Sequence, residues 1–372
     1  MVSQVDKTQS AVKRYYNINK ILMSKIGIWP GQSKFMKILL PTVILSFPLS
    51  IGILEERLLF LIDYHWCIFT HSSEVSIMHD YATAGRKMTI GYAALIYILM
   101  SLYMLIPVTP QLLDLVKPLN KSRPYKYLFD IDYSFEREEY YYFVLLHAYI
   151  TTVSTMSVIV IIDTLYMAFA QHACSLFAAV GHRLENLTSK IHSKMKNRRV
   201  GTTAKCELAN NMEYEKDDEI YHELILILKR HQLSIQYVWL LDSSFSLTSF
   251  ILLFINIIVI SLLGIQILSL LDRKEEMTRY VAMSLGGFMH LFVLSYPGQR
   301  IIDHSSEIFH KAYNVLWYRI PRKSSRLINM LLHKCLTPCT LTAGKMYVLS
   351  MANYASMVQA SMSYFTALSS FS

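Results

Sequence analysis

The sequence predicts an all-α membrane protein, a multi-pass helical bundle, and three observations carry that expectation. Residues of the 372-residue chain are 53% apolar and only 17% charged, with a mean hydropathy of +0.31, whereas soluble domains carry about 25% charged residues. The charges are gathered into a few stretches, separated by segments that reach the ~20 residues needed to cross a bilayer. These segments lack strong periodicity because they are apolar all round, and without water to satisfy the backbone they must be helical.

The elements follow in order. Residues 1–36 mix charges with polar groups and hold no apolar core near 5–20, so they do not read as a cleaved signal peptide. The first span is 37–54, with Pro41 and Pro48 inside it. The next candidate, LLFLIDYHWCIF at 58–69, carries Asp63 and His65 and is too short and polar to cross; it reads as an amphipathic interfacial helix. Further spans are expected at 88–107, closed by Pro107, and at 143–170, 243–271 and 278–297, with 345–368 closing the chain.

Basic residues set the orientation. The start of the chain, with Lys7, Lys13, Arg14, Lys20, Lys25 and Lys34, and the connection 298–344, with Arg300, Lys311, Arg319, Arg322, Lys323, Arg326 and Lys334, are both expected inside. The connection 171–242 is basic close to its first span and also goes inside. Residues 108–142 are acid-rich and hold the sequon at Asn120, which places them outside and makes Asn120 the expected glycosylation site; a second sequon, at Asn186, faces the cytoplasm. A parity conflict results: with both the N-terminus and the stretch before Met88 inside, two spans must lie between them, and only 37–54 qualifies.

No catalytic motif stands out. Phosphate-binding glycine loops, GxSxG and HExxH are missing, and the +9 net charge lies beside apolar spans, which argues for topology and against nucleic acid. The sequence predicts neither an enzyme nor a cofactor. Five scattered cysteines describe no disulfide framework. His333, Cys335 and Cys339 in HKCLTPC have no partner pair and read as helix-end residues, not a metal site. Asp163 lies inside the third clear span, where a carboxylate is either functional or the centre of a buried hydrogen-bonding group.

The last span raises the sharpest question. Ser356, Gln359, Ser363, Thr366 and Ser370 advance by three and four residues and share one helix face, while Met357, Val358, Met362, Tyr364, Phe365 and Leu368 fall on the others. Such a stripe is either a small-residue seam between helices or the lining of a water-filled path.

KAYNVLWYRIP at 311–321 and LTAGKMYVLSMANYASMVQASMSYFTAL at 341–368 resemble the C-terminal signature of insect odorant receptors. IMHDYATAGRKMTIGYA at 77–93, PVTPQLLDLVKPLNKSRP at 107–124 and IDTLYMAFAQHACSLFAAVGHRLENL at 162–187 resemble the form common in ants, bees and wasps. The resemblance runs from about residue 25 to the end.

It implies nominally seven helices and a cytoplasmic N-terminus. It also implies assembly with an odorant co-receptor into a heterotetrameric, non-selective cation channel of the plasma membrane of olfactory neurons, the last helix lining the pore and Ala367 at its constriction. The chain then divides into a cytoplasmic segment 1–36, a bundle 37–297 with the odorant pocket, an anchor segment 298–340 and a pore segment 341–372. The departure is the second span, for which the region between Trp29-Pro30 and YATAGRK is too short. With this orientation the outer halves of the spans offer Met100, Tyr103, Met104, Tyr149, Thr152, Met156, Tyr280 and Met283 to a small apolar volatile, since Met adapts and Tyr adds one polar group. The rivals are a gustatory-receptor-like homomeric channel, a truncated non-conducting paralogue, and a secondary transporter, for which the sequence shows no inverted repeat.

Overall fold

A computed structural model describes residues 57–116, 123, 125–128, 140–200, 206–270 and 273–369. The span expected at 37–54 and the sequon at Asn120 lie outside the described residues. Four long helices form the frame: α1 (Ser72–Met104), α3 (Tyr141–Val200), α4 (Cys206–Ser269) and α5 (Lys274–Asn314). A short α2 (Thr109–Val116) follows α1 after a turn at Ile106–Val108, where Pro107 supplies no donor to continue the helix. Then come α6 (Arg322–Cys335), a two-stranded hairpin of β1 (Thr342–Ala343) and β2 (Tyr347–Val348), and α7 (Met351–Ser369).

The four frame helices each contain an apolar stretch long enough to cross a membrane, so the spans at 88–107, 143–170, 243–271 and 278–297 are each the membrane part of a longer rod. The boundary expected after residue 297 falls inside α5, which runs unbroken through Pro297 to Asn314. Neighbouring helices allow a bundle helix to absorb the hydrogen bond that a proline removes.

α3 is the central rod and packs against α1, α4 and α5, while α6 and α7 lean on α4 and α5. From Phe169 onward it builds a dense core: Phe169, Leu176, Phe177, Val180, Leu184 and Leu187 are buried with Leu224, Ile227, Tyr237 and Leu241 of α4 and Ile301, Ile308 and Ala312 of α5. Gly181 lets the end of the Lys311 side chain lie against α3, where a Cβ would stand 2.9 Å from its Cδ and Nζ. In the membrane half the apolar side chains instead point out, among them Ile98, Ile150, Ile161, Phe254, Leu262 and Leu285.

Residues 57–68 are helical. The expected interfacial helix does not simply lie on a bilayer: His65 is buried against protein, stacked on His172 at 5.4 Å and edge-on to Tyr237 at 5.5 Å, with its Nδ1 3.2 Å from the His172 Nε2. This burial lowers its pKa from 6.5 to about 4. The triplet at 333–339 does not converge. His333 is exposed, Cys335 is buried with its Sγ 3.6 Å from the His231 Nε2, and Cys339 donates its amide to the Ser305 hydroxyl.

Candidate functional site: aromatic end, polar centre and hung helix

At one end of the bundle, aromatic residues from three helices meet the connection after α2. The Tyr103 hydroxyl donates to the Leu128 carbonyl at 3.0 Å, and Arg279 donates to the same oxygen at 2.7 Å while standing over the Tyr103 and Tyr280 rings at 5.9 and 5.7 Å. Tyr149 donates to the Met104 carbonyl at 2.8 Å, tying α3 to the end of α1. Arg279 and Leu128 had no signal in the sequence that tied them to this place. Thr152 is buried, but its hydroxyl is used on the Ala148 carbonyl at 2.8 Å. Met100, Met104 and Met283 are half-buried, and Met156 is 39% exposed on the outside of the bundle. The structure therefore gathers Tyr103, Met104, Tyr149 and Tyr280, with their neighbours, at one end, and the hydroxyls of Tyr103 and Tyr149 serve the protein's own backbone.

Deeper in the bundle, Asp163 is the hub of a four-helix polar cluster. Tyr92 of α1 donates to its Oδ2 at 2.5 Å, the His290 Nε2 of α5 stands 3.3 Å from the same oxygen, and Asn256 of α4 meets the His290 Nδ1 at 2.7 Å. Asp163 is 1% exposed and its Oδ1 has no partner. The sequence singled out Asp163 alone; its partners Tyr92 and His290, and Asn256 behind His290, come from three other helices.

At the opposite end, α7 hangs from α4 and α5. Asp242 accepts the Thr342 amide at 2.6 Å and hydroxyl at 2.8 Å and pairs with Lys345. One turn on, the Ser246 carbonyl takes the Gly344 amide at 2.8 Å, and the Ser246 hydroxyl takes the Lys345 amide at 3.1 Å. Gly344 and Lys345 both have positive φ, +63° and +60°, as the two central residues of a type I′ turn require, and the Met346 amide donates back to the Ala343 carbonyl at 3.3 Å. Gly344 also lies so close to Phe250 that a Cβ would stand 2.8 Å from that ring. On α5, Gly298 lets the Leu349 carbonyl approach to where a Cβ would clash at 2.1 Å, and the Gln299 side chain accepts the Met351 amide at 3.1 Å. The motif TAGK pointed to this turn; Asp242, Ser246 and Gln299, about a hundred or fifty residues away, carried no sequence signal.

On α7, Ser356, Gln359, Ser363 and Thr366 are all exposed along one face. Ser356 and Ser363 turn their hydroxyls onto carbonyls one turn back, at 3.1 and 3.0 Å. The stripe is therefore not a seam against another described helix of the same chain. The side chain of Ala367, and Ser370, lie outside the described residues.

The sequence profile described as 7tm Odorant receptor matches residues 67–362. Odorant receptor 22a of Drosophila melanogaster is 28% identical over 158 residues, which is 42% of this chain and 39% of that receptor. The matched region thus spans about two fifths of the relative's length. Among solved structures, the insect olfactory receptor OR5 from Machilis hrabei matches with a TM-score of 0.50 and 13% identity over 95% of this chain and 98% of its own. The same receptor in complex with eugenol matches with a TM-score of 0.51 and 14% identity over 96% and 100%. These structures share the fold of long helices in a membrane bundle. The profile covers most of the sequence, so the chain, a multi-pass helical membrane protein and not an enzyme, belongs to the insect odorant receptor family.

Proposed function

We propose that this chain is the odorant-recognising subunit of a ligand-gated, non-selective cation channel in the plasma membrane of olfactory sensory neurons, assembled with an odorant co-receptor. The observation that carries this reading is the exposed polar face of α7 on a helix suspended between two frame helices. A row of hydroxyls and an amide left uncovered by its own chain suits a water-filled path at the centre of an assembly. Ala367 would form its dry constriction, with Ser370 beyond it.

The ligand would be a small, mostly apolar volatile bound in the outer half of 37–297, among Met100, Tyr103, Met104, Tyr149, Thr152, Met156, Tyr280 and Met283. The structural relative's complex with eugenol supports a small organic ligand. Binding there would shift α4 and α5, and the hairpin would carry the shift to α7. Residues 298–340 would serve as the cytoplasmic anchor between subunits, and 1–36 would lie in the cytoplasm. A glycan on Asn120 and none on Asn186 is the expected outcome for this orientation.

Expression of the chain alone should give no odorant-evoked current, whereas co-expression with the co-receptor should bring it to the plasma membrane and give one. Robust current from the chain alone would overturn the heteromeric reading in favour of a homomeric, gustatory-receptor-like channel. The short stretch between Pro30 and Tyr81, with room for one clear span where the resemblance implies two, favours a second reading, a chain that assembles without conducting. Surface delivery with no current for any ligand would select it.

A further inference from the structure

Two buried polar groups of α3 stand without partners one helical turn apart. The Asp163 Oδ1 accepts nothing, although its other oxygen takes the Tyr92 hydroxyl and faces His290, and the Tyr166 hydroxyl has no hydrogen-bond partner among the described residues. The two residues are 1% and 2% exposed. Residues three apart share a helix face, and a long side chain on a helix leans back over the preceding turn, so the idle donor lies on the side of the idle acceptor. A buried hydroxyl and a buried carboxylate oxygen are both costly while unbonded, and a small movement that joins them relieves both at once.

Tyr166 also touches the turn that suspends α7. Its ring packs on Phe245 of α4 at 5.5 Å, and Phe169, one turn further along α3, meets the same ring at 6.0 Å. Phe245 stands between Asp242 and Ser246, the two α4 residues that grip the hairpin. The Tyr166 hydroxyl is within electrostatic reach of both Asp242 and Asp163. Asp242 already uses both oxygens on Thr342 and Lys345, whereas Asp163 has a whole oxygen free. Asp163 is therefore the acceptor with capacity. On its other side it meets α1 through Tyr92 and α5 through His290, and Tyr280 and Met283 lie further out on that same α5.

We propose that Tyr166 is the positioning residue that couples the polar centre at Asp163 to the hairpin that suspends α7. The arrangement with the hairpin gripped at Asp242 and Ser246 and the Tyr166 hydroxyl idle is the closed one. In the open one a shift of α5 turns Asp163 so that its Oδ1 accepts the Tyr166 hydroxyl. The ring follows, Phe245 and its turn of α4 move with it, and the hairpin passes the movement to α7. A bond made in only one of two arrangements is the differential interaction that a switch requires. This assignment rests on the channel reading and names the contact through which α5 acts on α7.

Tyr166→Phe keeps the ring on Phe245 and removes only the hydroxyl. Without odorant, the purified variant chain should melt no lower than the wild type, because the lost group has no partner in the closed arrangement. A marked loss of stability would overturn the proposal whether or not the chain conducts. Co-expressed with the co-receptor, Tyr166→Phe should reach the surface as the wild type does yet need about tenfold more odorant for half-maximal current, the worth of a hydrogen bond to a charged acceptor. Replacing Tyr166 by fluorotyrosine, a stronger donor, should lower that concentration instead. In the Asp163→Asn background, where the acceptor is uncharged, Tyr166→Phe should shift the response by no more than about threefold. Should Asp163→Asn fail to reach the surface, the opposed shifts of phenylalanine and fluorotyrosine carry the test. An unshifted Tyr166→Phe beside a responding wild type, or the whole shift retained in Asp163→Asn, would overturn this assignment and leave the channel reading standing. A wild type silent to every ligand would overturn the channel reading itself, and this assignment with it.

Discussion

The two halves of the frame helices present opposite kinds of residue to their surroundings. Beyond its membrane span, α3 buries Phe177, Val180 and Leu184 and answers its charges in pairs: Glu74 is buried between Arg183 and Arg230, with Arg183 also 2.8 Å from Glu223 and Arg230 stacked 4.4 Å over Phe69. In the membrane half the same helix exposes Ile150 and Ile161 and turns Asp163 inward. Water drives the first arrangement, because burying apolar surface is worth roughly 25 cal/mol per Å² only when water is the alternative. Hydrocarbon removes that drive, and the inward-facing polar groups hold the helices together instead.

The comparison predicts unequal costs for similar-looking damage, and the largest effect belongs to the half beyond the membrane spans. Glu74→Ala should cost about 3–5 kcal/mol, because it leaves the buried Arg230 guanidinium with no carboxylate and Arg183 with Glu223 alone. Thermal melting of the purified chain would read this as loss of a cooperative transition or a large downward shift. A shift no larger than that of a surface mutation would mean that water reaches Arg183 and Arg230.

The hairpin that suspends α7 ranks next. Asp242→Ala strips acceptors from the Thr342 amide, the Thr342 hydroxyl and Lys345 at once, and should cost about 2–3 kcal/mol locally. Surface delivery with the co-receptor should persist while the odorant response falls steeply. Normal responses from Asp242→Ala would show that the hairpin does not carry the movement.

In the membrane half, Tyr92→Phe removes a short hydrogen bond, 2.5 Å to the Asp163 Oδ2. It should nevertheless cost only about 0.6 kcal/mol and no more than about 1.7, the range for polar contacts between membrane helices, whose separated state also finds partners. A loss equal to that of Glu74→Ala would break the comparison between the two halves.

How much of this was legible follows the same division. Hydropathy reports where hydrocarbon is the solvent, so the spans 88–107, 143–170, 243–271 and 278–297 stood out, as did the stripe on α7. The extensions beyond the spans did not, since α3 from His172 onward mixes Arg183, Glu185 and Lys190 with its apolar face as any water-soluble helix does. Asp163 was conspicuous because a carboxylate in a span is rare, whereas Tyr92, 71 residues away, and His290 are ordinary until the fold joins them. TAGK announced a turn but not its receptor, because Asp242 sits where a span begins and reads as one more boundary charge.

A smaller effect depends on pH. Burial lowers the His65 pKa from 6.5 to about 4, so the unfolded chain takes up a proton there first. The sign follows: the stability that neutral His65 contributes is complete above pH 6.5 and is lost as pH falls from 6.5 toward about 4. Melting temperatures across that window should fall less for His65→Phe than for the wild type. Parallel curves would show that other groups dominate the acid side.

The smallest expected change in stability is at the stripe, and there it discriminates between functions. Ser363 is exposed and bonds only the Gln359 carbonyl of its own helix, at 3.0 Å, so Ser363→Cys should alter melting by less than about 0.5 kcal/mol. In a water-filled path that cysteine, and one at Thr366, should react with a water-borne thiol reagent and react faster when odorant opens the channel. Cysteines replacing Met357 or Val358, which are half-covered by the chain, should react slowly in both states. A seam against another subunit predicts the reverse. There the site is dry, the cysteine at 363 stays silent, and Ser363→Leu blocks assembly because two helices can no longer approach closely. Reactivity at 363 and 366 together with tolerance of Ser363→Leu in assembly would therefore assign the polar face to water, whereas silence and lost assembly would assign it to helix contact and remove the observation on which the channel reading stands.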